Sequence, residues 1–225
     1  KSNFKKFLLI LPTFSLLWLF MQAGSRIGLL GLALSILVLA YFYKKMYLGF
    51  LYLFIVFISI LTSPQYVSRF INIFNVVKDK IGFVVIKPVL AAETAEKQRS
   101  IQKDTSTSIR FDVEWPRAMR SFYKNPLLGT GYSSISLATD NDYLRSLGET
   151  GLLGLISFLS LLLYMSKKLF SLVKSANSEN RVLVVSSAGI FVAFITSALF
   201  IDVFESSKIA ILFWSYMGLA FSAEN

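Results

Sequence analysis

The chain contains neither cysteine nor histidine. The first absence excludes a disulfide framework, a thiolate zinc site and a thiol nucleophile. The second removes the side chain most often used as a base near neutral pH. Charge is scarce as well. Only 16% of the 225 residues are Asp, Glu, Lys or Arg, against about 25% in ordinary globular proteins. The acidic residues are too dispersed to suggest a metal site, with Asp112 and Glu114 too isolated to argue from, so none is expected. An initiator methionine is also missing: the chain opens Lys1-Ser2-Asn3. The first apolar block is too long, and too poorly followed by a cleavage site, for a signal peptide. The sequence is therefore read as the later portion of a longer protein.

What the chain does have is apolar residues in long blocks. They make up 55% of the sequence, and phenylalanine alone occurs 21 times. Six blocks, at residues 7–23, 27–43, 46–62, 151–165, 182–201 and 207–221, carry almost no charge inside. A helix of that kind crosses most of a hydrocarbon core about 30 Å thick, with flanking residues completing the shorter ones. The expected fold is an all-α, polytopic transmembrane helix bundle. Three spans occupy residues 1–63, a large and partly helical extracytoplasmic loop occupies 64–150, and three further spans occupy 151–225. Pro12 is expected to kink the first span.

Lysine and arginine in short connections set the orientation. Lys1, Lys5, Lys6, Lys44, Lys45, Lys167, Lys168, Lys174 and Arg181 fall at alternate ends of the zigzag, opposed by Glu179 and Glu224, a net of +7. The other short ends hold Arg26 and Lys208 against Asp202 and Glu205, a net of zero. Both termini are thus expected in the cytoplasm and the long loop outside, in a bacterial inner membrane. The overall net charge of +10 is an orientation signal, and no aromatic-basic groove accompanies it, so nucleic acid is not an expected partner.

A loop of roughly 88 residues is too long for a plain connector. Its first half contains an apolar stretch, 81–92, too short to span, and then a polar stretch, 93–108, read as mobile. Order is expected from Ile109, with residues 110–123 as an amphipathic helix that presents Trp115, Met119 and Phe122 on one side. Asn125-Pro126 ends that helix and Gly129-Thr130-Gly131 turns the chain. This Gly-Thr-Gly lacks the preceding strand and third glycine of a nucleotide site. A short helix at 140–147 then leads into the fourth span.

Charge meets the membrane boundary at three positions. Arg26, in Gly24-Ser25-Arg26-Ile27-Gly28, is either a snorkelling arginine or a ligand-facing one flanked by small residues. Arg110, Arg117 and Arg120, at spacings of seven and ten, share one face of a regular α-helix, as a solvated basic face or as a phosphate clamp. Asp140, in Asp140-Asn141-Asp142-Tyr143, is either the cap of the helix that begins there or a carboxylate at the bilayer surface. Partial loss of hydration there makes a carboxylate a better base for a sugar hydroxyl. These two roles for Asp140 are compatible.

Four segments resemble a known family. Ser25-Arg26-Ile-Gly-Leu-Leu-Gly31, Ser108-Ile-Arg110 followed by Trp115, Asn125-Pro-Leu-Leu-Gly-Thr-Gly-Tyr-Ser-Ser134, and Asp140-Asn-Asp-Tyr-Leu144 with Glu149-Thr-Gly-Leu-Leu-Gly154 are similar, in order, to elements of the O-antigen ligases and Wzy-type polysaccharide polymerases. The resemblance covers residues 24–155. It implies a membrane glycosyltransferase that takes a glycan from a polyprenyl pyrophosphate at the outer leaflet and passes it to a glycan acceptor, with no metal, nucleotide or other cofactor. Asp140 would be the base, Arg26 and Arg110 would stabilise the departing pyrophosphate, and Arg117, Arg120, Asn141 and Tyr143 would bind substrate. A chain-length regulator and a flippase are the partners such an enzyme implies, beside membrane lipid itself. Ligases of the family carry His-Asn where this chain has Asp140-Asn141, which turns the expectation toward a polymerase, with a ligase or protein O-oligosaccharyltransferase as the alternative. Family members also have more than six spans, which implies an amino-terminal half beyond Lys1.

A polysaccharide transporter or structural envelope protein is the alternative of another class. Transporters place ionisable groups at mid-membrane depth, whereas Arg26, Asp202, Glu205 and Lys208 all stand at block ends. The topology has a direct test in a chain without cysteine. An Asp104→Cys variant is expected to react with an impermeant maleimide added outside intact cells or spheroplasts, and reaction only after membrane disruption would overturn the outside placement of the loop.

Overall fold

The computed structural model describes residues 15, 18, 25–61, 71, 109–135, 139–177 and 179–223. Among these every regular element is a helix, and there is no strand. The elements are α1 (Arg26–Phe42), α2 (Met46–Leu61), a π-helical turn (Arg110–Glu114), α3 (Trp115–Lys124), α4 (Asp142–Ser175), α5 (Arg181–Ser197) and α6 (Ser207–Ser222). Beyond Ser15 and Trp18, the block expected at 7–23 lies outside the described residues, as do the 81–92 and 93–108 stretches.

Local chemistry sets each boundary. Ser25 begins α1 as an N-cap, its Oγ accepting from the Gly28 N–H at 3.0 Å. At the other end Lys44 turns left-handed (φ 55°), and the Lys44 and Lys45 N–H groups return to the Tyr41 and Ala40 carbonyls. That is a Schellman closure, made here by lysine where glycine is the usual residue. Arg181 adds a cation to the same end by donating from Nη2 to the Phe42 carbonyl at 3.1 Å.

Helices α1 and α5 run antiparallel and cross closely because small residues meet. Gly31 lies against Ala193, and Ser35 donates from Oγ to the Gly189 carbonyl at 2.7 Å. Small-to-small contacts of this kind let backbones approach where lipid leaves no hydrophobic drive between helices. Lys44, Lys45, Arg181 and Ala223, which accepts from Asn180 Nδ2, therefore gather at one end. The start of α1 and the end of α5 gather at the other.

The largest core joins α4, α5 and α6 around an aromatic stack. Phe194 and Phe213 lie nearly parallel with centroids 4.1 Å apart, and Phe204 stands edge-on to Phe194 at 4.9 Å and to Phe158 at 5.1 Å. Such pairs add about 0.5–1.5 kcal/mol each beyond buried area. The outward faces are apolar too: Tyr47, Phe50 and Phe54 of α2 and Ile211 and Leu212 of α6 are exposed. Apolar surface on that scale exceeds what a water-facing monomer displays. Among the described residues one helix, Asp142–Ser175, is long and apolar enough to cross a membrane, while α1 and α5 are shorter apolar helices.

That long helix absorbs both the short helix expected at 140–147 and the span expected at 151–165, and it reaches Ser175. It is broken at Gly151, whose backbone is non-helical (φ 66°, ψ −165°). A break frees carbonyls behind it and N–H groups ahead of it. The 126–131 turn fills both sets. Thr130 N–H and Gly131 N–H donate to the Gly148 and Glu149 carbonyls at 3.2 and 2.9 Å, while Leu152 N–H and Leu153 N–H donate to the Pro126 and Leu127 carbonyls at 2.9 and 3.2 Å.

Two glycines make this approach possible. A Cβ on Gly129 (φ 69°) would run into the backbone of Glu149 and Thr150, and one on Gly151 into the Leu127 carbonyl and Gly129 nitrogen. Gly131 (φ 104°) faces open space instead. Gly129→Ala and Gly151→Ala are therefore expected to cost several kcal/mol, combining positive-φ strain of about 1–2 kcal/mol with backbone displacement. Gly131→Ala is expected to cost only the strain. Thermal unfolding of the three variants in detergent checks the order.

Candidate functional site

The 139–142 segment links the 126–135 turn region to α4 and is held by the α5–α6 connection through an exchange of carboxylates. Asp202 accepts the Thr139 N–H (3.3 Å) and the Asn141 N–H (3.2 Å). In return Asp142 Oδ2 accepts the Val203 N–H (2.8 Å) and the Phe204 N–H (3.2 Å). Asp142 N–H also donates to the Ala198 carbonyl at 3.0 Å. Each acid thus organises the backbone of the other's segment.

Arg145, one turn into α4, anchors the cluster. Its Nη1 donates to Asp202 at 2.9 Å and its Nη2 to Glu205 at 3.3 Å, while Nε stands 3.4 Å from the buried Glu149 carboxylate, an ion pair without hydrogen-bond alignment. The exposed Tyr132 hydroxyl reaches Glu205 at 3.3 Å, so the turn region touches the cluster as well.

Asp140 stands at the edge of this scaffold. Arg110 donates to Asp140 Oδ2 from both Nε (3.0 Å) and Nη2 (2.7 Å), and Trp115 Nε1 reaches the Asp140 carbonyl at 3.5 Å. Asp140 has φ 41°, a left-handed conformation in which aspartate is among the better-tolerated residues. The helix cap is Asn141: its Oδ1 accepts the Leu144 N–H at 2.9 Å and its Nδ2 donates to the Leu199 carbonyl at 2.9 Å. The capping role open to Asp140 in the sequence thus belongs to its neighbour, and the Asp140 carboxylate is engaged by Arg110.

The other sequence candidates fall in different places. Arg26 opens α1 at the same end of the bundle, half-buried. Arg117 is half-buried, with Nη1 shielded and without a hydrogen-bond partner among the described residues; Arg120 is exposed. The one-face expectation for the three loop arginines assumed α-helical pitch from Arg110 onward. Residues 110–114 instead wind as a π turn, closed by the Trp115 N–H on the Arg110 carbonyl. A π turn uses more residues per turn, so Arg110 leaves the register of Arg117 and Arg120. Tyr143 points inward, donating to the Ile195 carbonyl at 2.9 Å and packing on Phe158.

In the sequence Glu114 is an isolated acid and Asp202 and Glu205 are only block ends. Glu114 follows Arg110 by one helical turn. Burial pushes its carboxyl above the ordinary value, the Asp140 charge adds to that rise, and Arg110 opposes it. One of its oxygens is shielded without a partner among the described residues. The available signal was topological, since a zigzag that puts Asp202 and Glu205 at the loop side makes them neighbours of Asp140. No group of three or more metal-ligating residues occurs among the described residues.

Arg110 and Arg145 are thus each paired with acids at one end of an apolar helical bundle. The O-antigen ligase family model matches residues 11–159, more than half of the chain, and the chain belongs to that family. The family is membrane-associated and of the glycosyl-transferring type. No curated protein matches the chain.

Asp142 lies in the 142–150 segment ahead of the break. Burial pushes its carboxyl up to about 6, against the opposing Phe204 and Val203 N–H bonds. A folded value above the ordinary 3.8 means the folded state binds more protons between those two values, so this group's stability contribution falls as pH rises from about 4 through 6. Asp142→Asn keeps the acceptor and removes the charge. The variant is expected to gain stability relative to wild type across that interval, whereas Asp142→Ala, which strands two buried N–H groups, is expected to lose about 1–3 kcal/mol per group. Melting of purified protein from pH 4 to 8 measures both.

Proposed function

We propose that this protein polymerises oligosaccharide carried on polyprenyl pyrophosphate at the outer leaflet of the bacterial inner membrane. In this reading the apolar helices are spans of a polytopic bundle, with the basic end that gathers Lys44, Lys45 and Arg181 in the cytoplasm and the loop outside. The observation that carries the proposal is the Arg110–Asp140 pair, seated at the end of the bundle where Arg26 opens α1, in a chain of the O-antigen ligase family. The acidic residue at position 140, where ligases of the family carry histidine, supports polymerase over ligase.

The chemistry follows from what the pair can exchange. Donor pyrophosphate competes with Asp140 for the Arg110 guanidinium, whose fork matches phosphate oxygens at least as well as a carboxylate. Asp140, so released, takes the proton of an acceptor sugar hydroxyl. The hydroxyl oxygen bonds to the anomeric carbon, and the bond from that carbon to the pyrophosphate oxygen breaks with its electron pair on phosphate. Arg26 and Arg110 stabilise the charge that develops there. A single displacement inverts the anomeric centre. Arg117, whose charge is felt at Glu114, adds to the anion field, while Asn141 and Tyr143 act through the backbone they hold.

Arg26→Ala, Arg110→Ala and Asp140→Ala in the full-length protein are each expected to reduce long-chain glycan by at least about 10²-fold with membrane insertion unchanged; wild-type chain lengths in all three would sink the proposal. Asp140→Asn is expected to be inactive yet to hold lipid-linked donor more tightly, because Arg110 no longer has a carboxylate to leave. Weaker donor retention by that variant would refute the exchange. A polymerase defect leaves single repeats on the acceptor, whereas a ligase defect leaves polymer on the polyprenyl carrier.

A further inference from the structure

The turn that fills the α4 break presents two leucines to its surroundings. Leu127 is 62% and Leu128 65% exposed, although the Leu127 carbonyl is tied to the Leu153 N–H and the Leu128 N–H to Asn125 Oδ1. The Leu127 carbonyl accepts the Leu153 N–H, so these leucines begin where the outward face of α4 begins, and that face continues with exposed Leu153 and Ile156. Helical N–H groups point toward the N-terminus. The accepting carbonyls of Pro126 and Leu127 therefore lie one layer outward of Leu152 and Leu153.

Length gives this placement a consequence. At 1.5 Å per residue, the uncharged run from Gly151 to the Lys167-Lys168 pair rises about 24 Å, against a hydrocarbon core about 30 Å thick. Counted from the break, this run is shorter than the core, and Glu149 and Thr150 close it on the loop side. A short span thins the bilayer or recruits flanking groups. Leu127 and Leu128 stand at the height where apolar surface is lacking, with exposed Tyr123, Lys124 and Tyr132 beside them in sequence, residues of the type that sit at a membrane interface.

We infer that Leu127 and Leu128 insert into the outer leaflet as a lipid anchor, extending the short apolar face of α4 and fixing the height of the Arg110–Asp140 site above the bilayer. The occupant of this surface is phospholipid acyl chain near the glycerol level. The inference rests on the reading of α4 as a span, and the test separates the two.

Single-cysteine variants Leu128→Cys, Ile156→Cys and Ser133→Cys of the full-length protein, labelled with an environment-sensitive nitrobenzoxadiazole dye, are reconstituted in phosphatidylethanolamine–phosphatidylglycerol vesicles. Nitroxide on the lipid headgroup, nitroxide deep on the acyl chain, and aqueous iodide serve as quenchers. The label at 156 is expected to be quenched by deep nitroxide and the label at 133 by iodide. The label at 128 is expected to emit at shorter wavelength than that at 133, to be quenched more by headgroup nitroxide than by deep nitroxide, and to resist iodide. Quenching at 128 by iodide alone overturns the anchor in favour of a solvent-facing turn. Quenching at 128 by none of the three overturns it in favour of a protein cover, from another copy or from preceding segments of the chain. Loss of nitroxide quenching at 156 overturns the span reading and the anchor together, whereas quenching at 156 without it at 128 overturns the anchor alone.

Discussion

The exchange of backbone hydrogen bonds at Gly151 is the constraint from which the rest of the site follows. A helix interrupted in an apolar setting exposes carbonyls and N–H groups, each costly to leave unsatisfied. Here the 126–131 turn meets four of them, with donors for the Gly148 and Glu149 carbonyls and acceptors for the Leu152 and Leu153 N–H groups. Because the turn supplies both kinds of partner, its register against α4 is fixed at two points. The α3 helix is drawn in with it, and Ala118 packs on Gly148 where a methyl group would meet its backbone. That places the π turn, and so Arg110, beside Asp140.

A second exchange, of carboxylates, works on the same principle at shorter range. Asp202 holds the backbone of 139–141 while Asp142 holds that of 203–204. Burial makes each acid costly alone, and the N–H bonds together with Arg145 offset that cost. The result is a rigid base for Asp140, whose left-handed backbone is maintained by bonds on both sides of it. Asp140 is thus a residue of positive φ held by an over-determined surround and bearing a carboxylate matched to an arginine. The π turn that carries Arg110 is another such departure from regular structure.

Much of the helical layout could be read from the chain. The blocks at 27–43, 46–62 and 207–221 became α1, α2 and α6 within a residue or so at each end, because long apolar runs with almost no internal charge favour helix. Arg110 and Asp140 stand out in the sequence as separate candidates 30 positions apart, and their pairing is visible only in the fold. What escaped was geometry that depends on a partner. Asn141 rather than Asp140 caps α4, since either residue type suits a cap and only the local φ decides between them. The three loop arginines do not share a face, since nothing in the spacing announces a π turn. Glu114, Arg145, Asp202 and Glu205 join one network only because α5 returns its end to the start of α4.

The sequence by itself determined the helical class, the apolar character of the blocks, the concentration of cations at alternate ends, and the family to which the chain belongs. These follow from composition and short-range pattern, which operate along the chain before any fold exists. Tertiary structure alone decided which glycines are indispensable, which acid caps and which acid faces arginine, and how the long helix breaks. Those outcomes turn on hydrogen bonds between residues 18 to 63 positions apart, where a donor's value depends on the acceptor that the fold brings to it.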